Sequence, residues 1–327
     1  VRKLLLTLLI LALTLPSSAF SSKKAKYMRA GNPADKVVQP FPGFSLQGGG
    51  DNDEAFRYLC SKANGGDIVV LRARGNDEYN KDITKLCPSA NSVATLILPS
   101  RASASDPIVT QALSHAECIF FSGGDQAKYI TNWKNTPVQI EVNKAIARGV
   151  PIGGTSAGLA VLGEFVFSAL NDTAVSPVTL ADPYDKTVTI DRGFLSIPLL
   201  QSVITDTHFI KRDRMGRLLV FMARILKENS VATLHAIAVD EDGALTLDTD
   251  GSMHLLGDKN AFMLTAQQQA TQCTAGKPLT FGPVSVYRLQ AGSTFNVNSW
   301  TGSNGTAYQL RVDNGKVIST QPGGNIY

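Results

Sequence analysis

Ser156 stands in the run Gly153-Gly154-Thr155-Ser156-Ala157-Gly158, after the apolar stretch Val150-Pro151-Ile152 and before a helix-like stretch that begins at Leu159. A serine flanked by small residues where a strand turns into a helix has the form of a nucleophile elbow. The tight turn strains the serine backbone, and only small neighbours let its Oγ stand clear above a sheet. Ala157 then offers a backbone N–H at a helix start, where unspent donors and the helix dipole favour a developing oxyanion. A glycine-rich packing turn or a phosphate-binding loop shares this short pattern. The other groups the chemistry needs must decide.

A serine nucleophile requires a base, and the chain has four histidines: His115, His208, His235 and His254. His115 ends a helix-like stretch and His235 immediately precedes a strand-like one, so both read as structural. His254 lies in a polar, β-rich stretch. His208 differs, because Asp206-Thr207-His208-Phe209 follows an apolar run at 199–204 that reads as a strand. Beyond it come Arg212, Arg214 and Arg217, with Arg214 and Arg217 on one helix face. Such a cluster is either a solvated basic face or a set of bidentate sites for carboxylates.

The elements that must position these groups alternate. Continuous apolar runs at 68–71, 94–98 and 118–121 read as buried parallel strands. Helical patterns between them cover 51–60, 78–86, 107–116 and 138–148, with Asp106 and Pro107 opening the third. This predicts an α/β fold: a mostly parallel sheet with helices on both faces, plus a β-rich C-terminal part. Functional loops then gather at the carboxyl ends of strands, where Gly123-Gly124-Asp125-Gln126 and Gly154-Thr155-Ser156 both fall. Farther on, 237–239 and 244–247 flank Asp240-Glu241-Asp242-Gly243, a hairpin signal. The expected organisation is a leader at 1–19 and one domain over 20–327, with a β-rich extension from about 260.

The leader reading rests on Arg2 and Lys3, the apolar run 4–15 and Pro16-Ser17-Ser18-Ala19, a secretory pattern with cleavage after Ala19. It predicts a protein exported to the periplasm or medium, without a membrane span. Taking Arg2 and Lys3 from the formal charge of +4 leaves +2, which gives no electrostatic case for nucleic acid or anionic membrane. Cys60, Cys87, Cys118 and Cys273 contain no C-x-x-C pair, which argues against zinc. In an oxidising compartment Cys60 and Cys87 are the preferred disulfide, with Cys118 a buried thiol. No metal or organic cofactor is called for.

Taken together, Phe121-Ser122-Gly123-Gly124-Asp125-Gln126, Gly154-Thr155-Ser156-Ala157-Gly158 and Asp206-Thr207-His208-Phe209 with Arg212, Arg214 and Arg217 resemble the cyanophycinase family over about residues 60–260. That family is related to the α-aspartyl dipeptidases and has a glutamine-amidotransferase-like fold. The resemblance implies Ser156 as nucleophile, His208 as base, and an oxyanion hole from the N–H groups of Gly124 and Ala157. It implies substrate recognition by Gln126, Asp206, Arg212, Arg214 and Arg217, and it suggests a homodimer. The substrate would be cyanophycin, a poly-aspartate carrying arginine through isopeptide bonds, cut to β-Asp-Arg. Cleavage of α-aspartyl or other small acidic peptides is the alternative. The family's triad acid is expected after the nucleophile, where the alignment puts Ala174. Among Glu164, Asp172 and Asp182, Asp172 is the choice for that role. A chain lacking the acid would instead be a non-catalytic binder of the same fold.

Overall fold

The computed structural model describes residues 24–327, so the leader assigned to 1–19 lies outside the described residues. Two sheets organise them. In the first, the spatial order is Lys26–Gly31, Ser92–Ile97, Asp67–Arg72, Cys118–Phe121, Ile152–Thr155, Phe44–Gln47, Ala244–Leu247, Ser252–Leu256, Thr294–Asn296 and Thr301–Ser303. The five strands from Ser92–Ile97 to Phe44–Gln47 run parallel, and the flanking ones are antiparallel.

Side-chain alternation explains why helices cover both faces. Val69, Leu71, Ile119 and Phe121 point into one core with Val109, Leu113, Val138 and Val142 of the helices Pro107–Ser114 and Pro137–Ala147. Ile68, Val70, Cys118 and Phe120 point into another with Phe56, Leu59, Tyr79 and Ile83 of the helices Asp53–Lys62 and Glu78–Leu86. A strand apolar on both sides must be buried on both sides. Cys60 and Cys87 are disulfide-bonded, Cα–Cα 5.5 Å, tying the ends of the latter two helices together; Cys118 is a buried thiol.

The second sheet runs Lys316–Ser319, Thr306–Asp313, Phe281–Leu289, Ala261–Ala266, Leu234–Val239, Val203–Asp206, Phe165–Phe167 and Ile190–Arg192. Ile237, Val239 and Met263 join the core of the first sheet, whereas Ala236, Ala238 and Phe262 face the helix Met215–Glu228, whose Leu218, Phe221 and Met222 are fully buried. Strands after residue 260 extend both sheets.

Two local expectations change. The run at 199–204 is not one strand: Pro198–Leu200 forms a 3-10 turn, Ser202 takes a φ of 54°, and the strand is Val203–Asp206. Asp240-Glu241-Asp242-Gly243 does not close a hairpin. Leu234–Val239 pairs with Val203–Asp206 and Ala261–Ala266, while Ala244–Leu247 pairs with Phe44–Gln47 and Ser252–Leu256. The acidic turn therefore crosses from one sheet to the other. No helix among the described residues is long and apolar enough to cross a membrane.

Candidate active site

Ser156 joins the strand Ile152–Thr155 to the short helix Ala157–Ala160 at φ 52°, ψ −116°. That conformation is strained for any residue with a Cβ. The surrounding glycines are required by space: a Cβ on Gly154 would lie 2.5 Å from the Gly158 carbonyl carbon, and one on Gly158 2.0 Å from the Phe121 oxygen. The Ser156 N–H donates to the Gln47 carbonyl at 3.0 Å, which fixes the turn to the neighbouring strand.

His208 lies just past Val203–Asp206, also in the left-handed region (φ 46°), and its N–H donates to the Gly48 carbonyl at 2.7 Å. Its Nε2 stands 2.7 Å from Ser156 Oγ, and its Nδ1 2.5 Å from Glu241 Oε2. The ring rests on Gly49, where a Cβ would come within 2.2 Å of Cε1. Burial holds the His208 pKa below the ordinary 6.5, reinforced by Arg212 and Arg214 and opposed by Glu241. The bond from His208 in turn keeps the Glu241 carboxyl below its usual range. Hydroxyl, largely neutral imidazole and carboxylate thus stand in line. That line can move a proton off the hydroxyl and stabilise the resulting imidazolium.

Asp172, the acid chosen from the sequence, does not reach His208. It sits on an exposed loop with φ 88°, and its carboxylate accepts from Thr173 N–H at 2.7 Å. Glu164 pairs with Arg192, and Asp182 caps Tyr184 N–H. Ala174 is buried in the second core, and its carbonyl accepts from Arg217 Nη1 at 3.2 Å. Glu241 was legible only by rule: it follows the strand Leu234–Val239, which pairs in parallel with Val203–Asp206, Ala238 opposite Asp206. Carboxyl ends of adjacent parallel strands lie side by side, but the hairpin reading of the turn hid this.

Gly124 belongs to the turn after the strand Cys118–Phe121, and Ala157 follows Ser156 directly. Tyr129, buried and stacked on Trp133, donates to the carbonyls of Ser122 at 2.9 Å and Gly123 at 3.1 Å. In a trans peptide, the Gly124 N–H then points away from Tyr129. A Cβ on Gly123 would stand 3.6 Å from the Ser156 Cβ, so this turn borders the nucleophile's. Ala157 begins its helix, and its N–H has no intrahelical acceptor.

The recognition residues divide. Gln126 is half-buried and its Nε2 donates to Phe167 O at 3.4 Å. Arg212 is exposed, beside His208. Arg214 is buried and its Nη1 donates to Thr207 O at 2.8 Å. Arg217, 2% exposed, clasps Asp206 through Nε at 2.9 Å and through Nη2, and lies over the Phe167 ring. Asp206 also accepts from Thr207 N–H at 2.7 Å. Arg217 and Asp206 are therefore paired with each other in a buried ion pair. Away from this site, His235 stacks on Trp300 at 3.8 Å and His115 Nδ1 lies 2.9 Å from Gln111 O.

A strained serine over a parallel sheet, with an in-line histidine, is the arrangement that serine hydrolases use for nucleophile and base. The chain belongs to peptidase family S51, whose model matches residues 72–253. Cyanophycinases of Synechococcus elongatus and of Trichormus variabilis are each 26% identical to it, over 216 and 218 residues. These alignments cover 63% and 64% of this chain and 61% and 66% of the relatives, so the chain spans somewhat under two thirds of their length. The crystal structure of a peptidase from an acI-B1 Actinobacterium shares the fold, with TM-score 0.52 and 18% identity, over 79% of this chain and 98% of that one.

Proposed function

We propose that this protein is an exported exopeptidase that hydrolyses cyanophycin to β-Asp-Arg, with Ser156 as nucleophile, His208 as base and Glu241 as the orienting acid. The observation that carries the chemistry is the line from Ser156 Oγ through both ring nitrogens of His208 to Glu241. Oγ attacks the scissile carbonyl carbon as Nε2 takes its proton, and the N–H groups of Gly124 and Ala157 receive the oxyanion. Nε2 returns the proton to the leaving amine, the C–N bond breaks, and an acyl-enzyme remains. Water then attacks the ester with His208 again as base. Glu241 accepts from Nδ1–H throughout and balances the imidazolium.

The substrate reading draws on the relatives named cyanophycinase and on exposed Arg212 beside the base, suited to a substrate carboxylate. Export is supported by the leader pattern and by the Cys60–Cys87 disulfide, which oxidising compartments favour.

The test is incubation of the protein, and of Ser156→Ala, with purified cyanophycin and mass spectrometry of the products. Release of β-Asp-Arg by the wild type alone is expected. Intact polymer with cleaved α-aspartyl dipeptides would replace the substrate with small acidic peptides. Equal release by both proteins would remove Ser156 from the mechanism.

A further inference from the structure

In strand order, on the side of Ser156 away from His208, a cavity of about 190 Å³ is lined by Arg74, Gly123, Gly124, Asp125, Lys128 and Tyr129, among others. It shares the Gly123-Gly124 turn with the site, and a Cβ on Gly123 would stand 3.6 Å from the Ser156 Cβ. Arg74 follows the strand Asp67–Arg72 and Lys128 lies in the first turn of the helix Gln126–Trp133, so two separate elements bring their cations to it. Neither side chain forms an ion pair among the described residues. The one acid, Asp125, accepts from Ala127 N–H at 2.9 Å.

We infer that Arg74 and Lys128 form a carboxylate-binding subsite that seats a substrate carboxylate flanking the scissile bond. Of the three arginines after His208, two are buried on internal partners and only Arg212 is exposed. In cyanophycin every aspartate carries an arginine branch with a free α-carboxylate beside its guanidinium, so carboxylates stand on both sides of the cut, and Arg212 lies beside His208. Arg74 and Lys128 are the cations on the other side, and an amide-rich peptide gains nothing from them. The flanking role rests on Ser156 being the nucleophile, whereas the binding itself does not.

The test is calorimetric titration of Ser156→Ala, with and without Arg74→Gln and Lys128→Gln, using N-acetyl-tri-aspartate and N-acetyl-tri-asparagine. Tri-aspartate is expected to bind about tenfold more weakly to the triple variant at low salt, as two partly exposed charge contacts imply. The difference should shrink in 0.5 M salt, on the order of a Debye length of a few ångströms, and tri-asparagine should not discriminate. Equal affinity of tri-aspartate for both proteins, or binding to neither, overturns the subsite. Because Ser156 is absent from both proteins, a failure of the hydrolysis assay leaves this result readable on its own.

Discussion

Glu241 reaches His208 across the junction of the two sheets, its Oε2 2.5 Å from Nδ1, and the turn that carries it is anchored on both sides. Asp240 Oδ1 accepts from Ile210 N–H at 3.0 Å and Lys211 N–H at 3.1 Å, in the His208 loop. Asp242 N–H donates to Gly49 O at 2.7 Å, and Gly48 N–H to Gly243 O at 2.9 Å. The acid is held by backbone on three strands' ends, so its removal should cost chemistry and leave the fold intact. Glu241→Gln is expected to lower kcat by about 10²–10⁴, by loss of tautomer control and of the imidazolium's partner. Asp172→Asn should leave kcat unchanged. The pH profile adds a sign. Neutral His208 is the active base, so activity rises as pH climbs through its pKa, with the half-rise below 6.5. Glu241 raises that pKa, and Glu241→Gln should move the half-rise lower still. An unmoved profile with full kcat would remove Glu241 from the site.

The parallel strands Ser92–Ile97, Asp67–Arg72 and Cys118–Phe121 were legible because both of their faces are apolar, whereas Phe44–Gln47, with Ser45 and Gln47 alternating, was not read as a strand. Helix Glu78–Leu86 and strand Cys118–Phe121 coincide with the reading at every residue. The Ser156 turn was legible from the small residues that close packing at Gly154 and Gly158 demands. What was hidden depends on which sheet a strand joins. Residues 234–239 and 244–247 look alike as strands, and a short acidic turn between them has the same letters whether it closes a hairpin or crosses between sheets. The roles of Arg214 and Arg217 were hidden for a related reason: helical spacing places them on one face, but not whether that face meets solvent or Asp206.

Arg217 and Arg212 should separate structure from recognition. Removing one partner of a buried ion pair strands the other charge and costs about 3–5 kcal/mol. Asp206→Asn and Arg217→Met are each expected to lower Tm by several degrees. Arg212→Ala should leave Tm within error and raise KM for an acidic substrate. A raised KM for Arg217→Met with unchanged Tm would make Arg217 a direct substrate contact.

Gly49 sets the depth of the His208 ring. Its φ is +146°, and a Cβ would overlap the ring at 2.2–2.7 Å from three of its atoms. The ring lies at the end of a loop and gives way before the backbone does. Gly49→Ala is therefore expected to reduce kcat at least tenfold, since displacing a base by about 1 Å has effects of up to ~10²-fold. Fluorophosphonate labelling of Ser156 should slow in parallel. Labelling at the wild-type rate would show that the ring keeps its place.

Glu117 carries a pH dependence of stability remote from catalysis. It is buried at the start of Cys118–Phe121, and its Oε2 accepts from Asp67 N–H at 2.7 Å. Burial, with Asp67 adding to it, raises its pKa from 4.5 to about 7. The folded protein therefore holds a proton that the unfolded chain releases above about 4.5. The stability from that proton is complete below pH 4.5, declines as pH rises toward 7, and is gone above it. Glu117→Gln keeps an oxygen to accept from Asp67 N–H and carries no charge at any pH. Its Tm should exceed that of the wild type at pH 8, and the gap should close as pH is lowered to 5. Parallel Tm curves for the two proteins over that range would mean that Glu117 does not hold its proton in the fold.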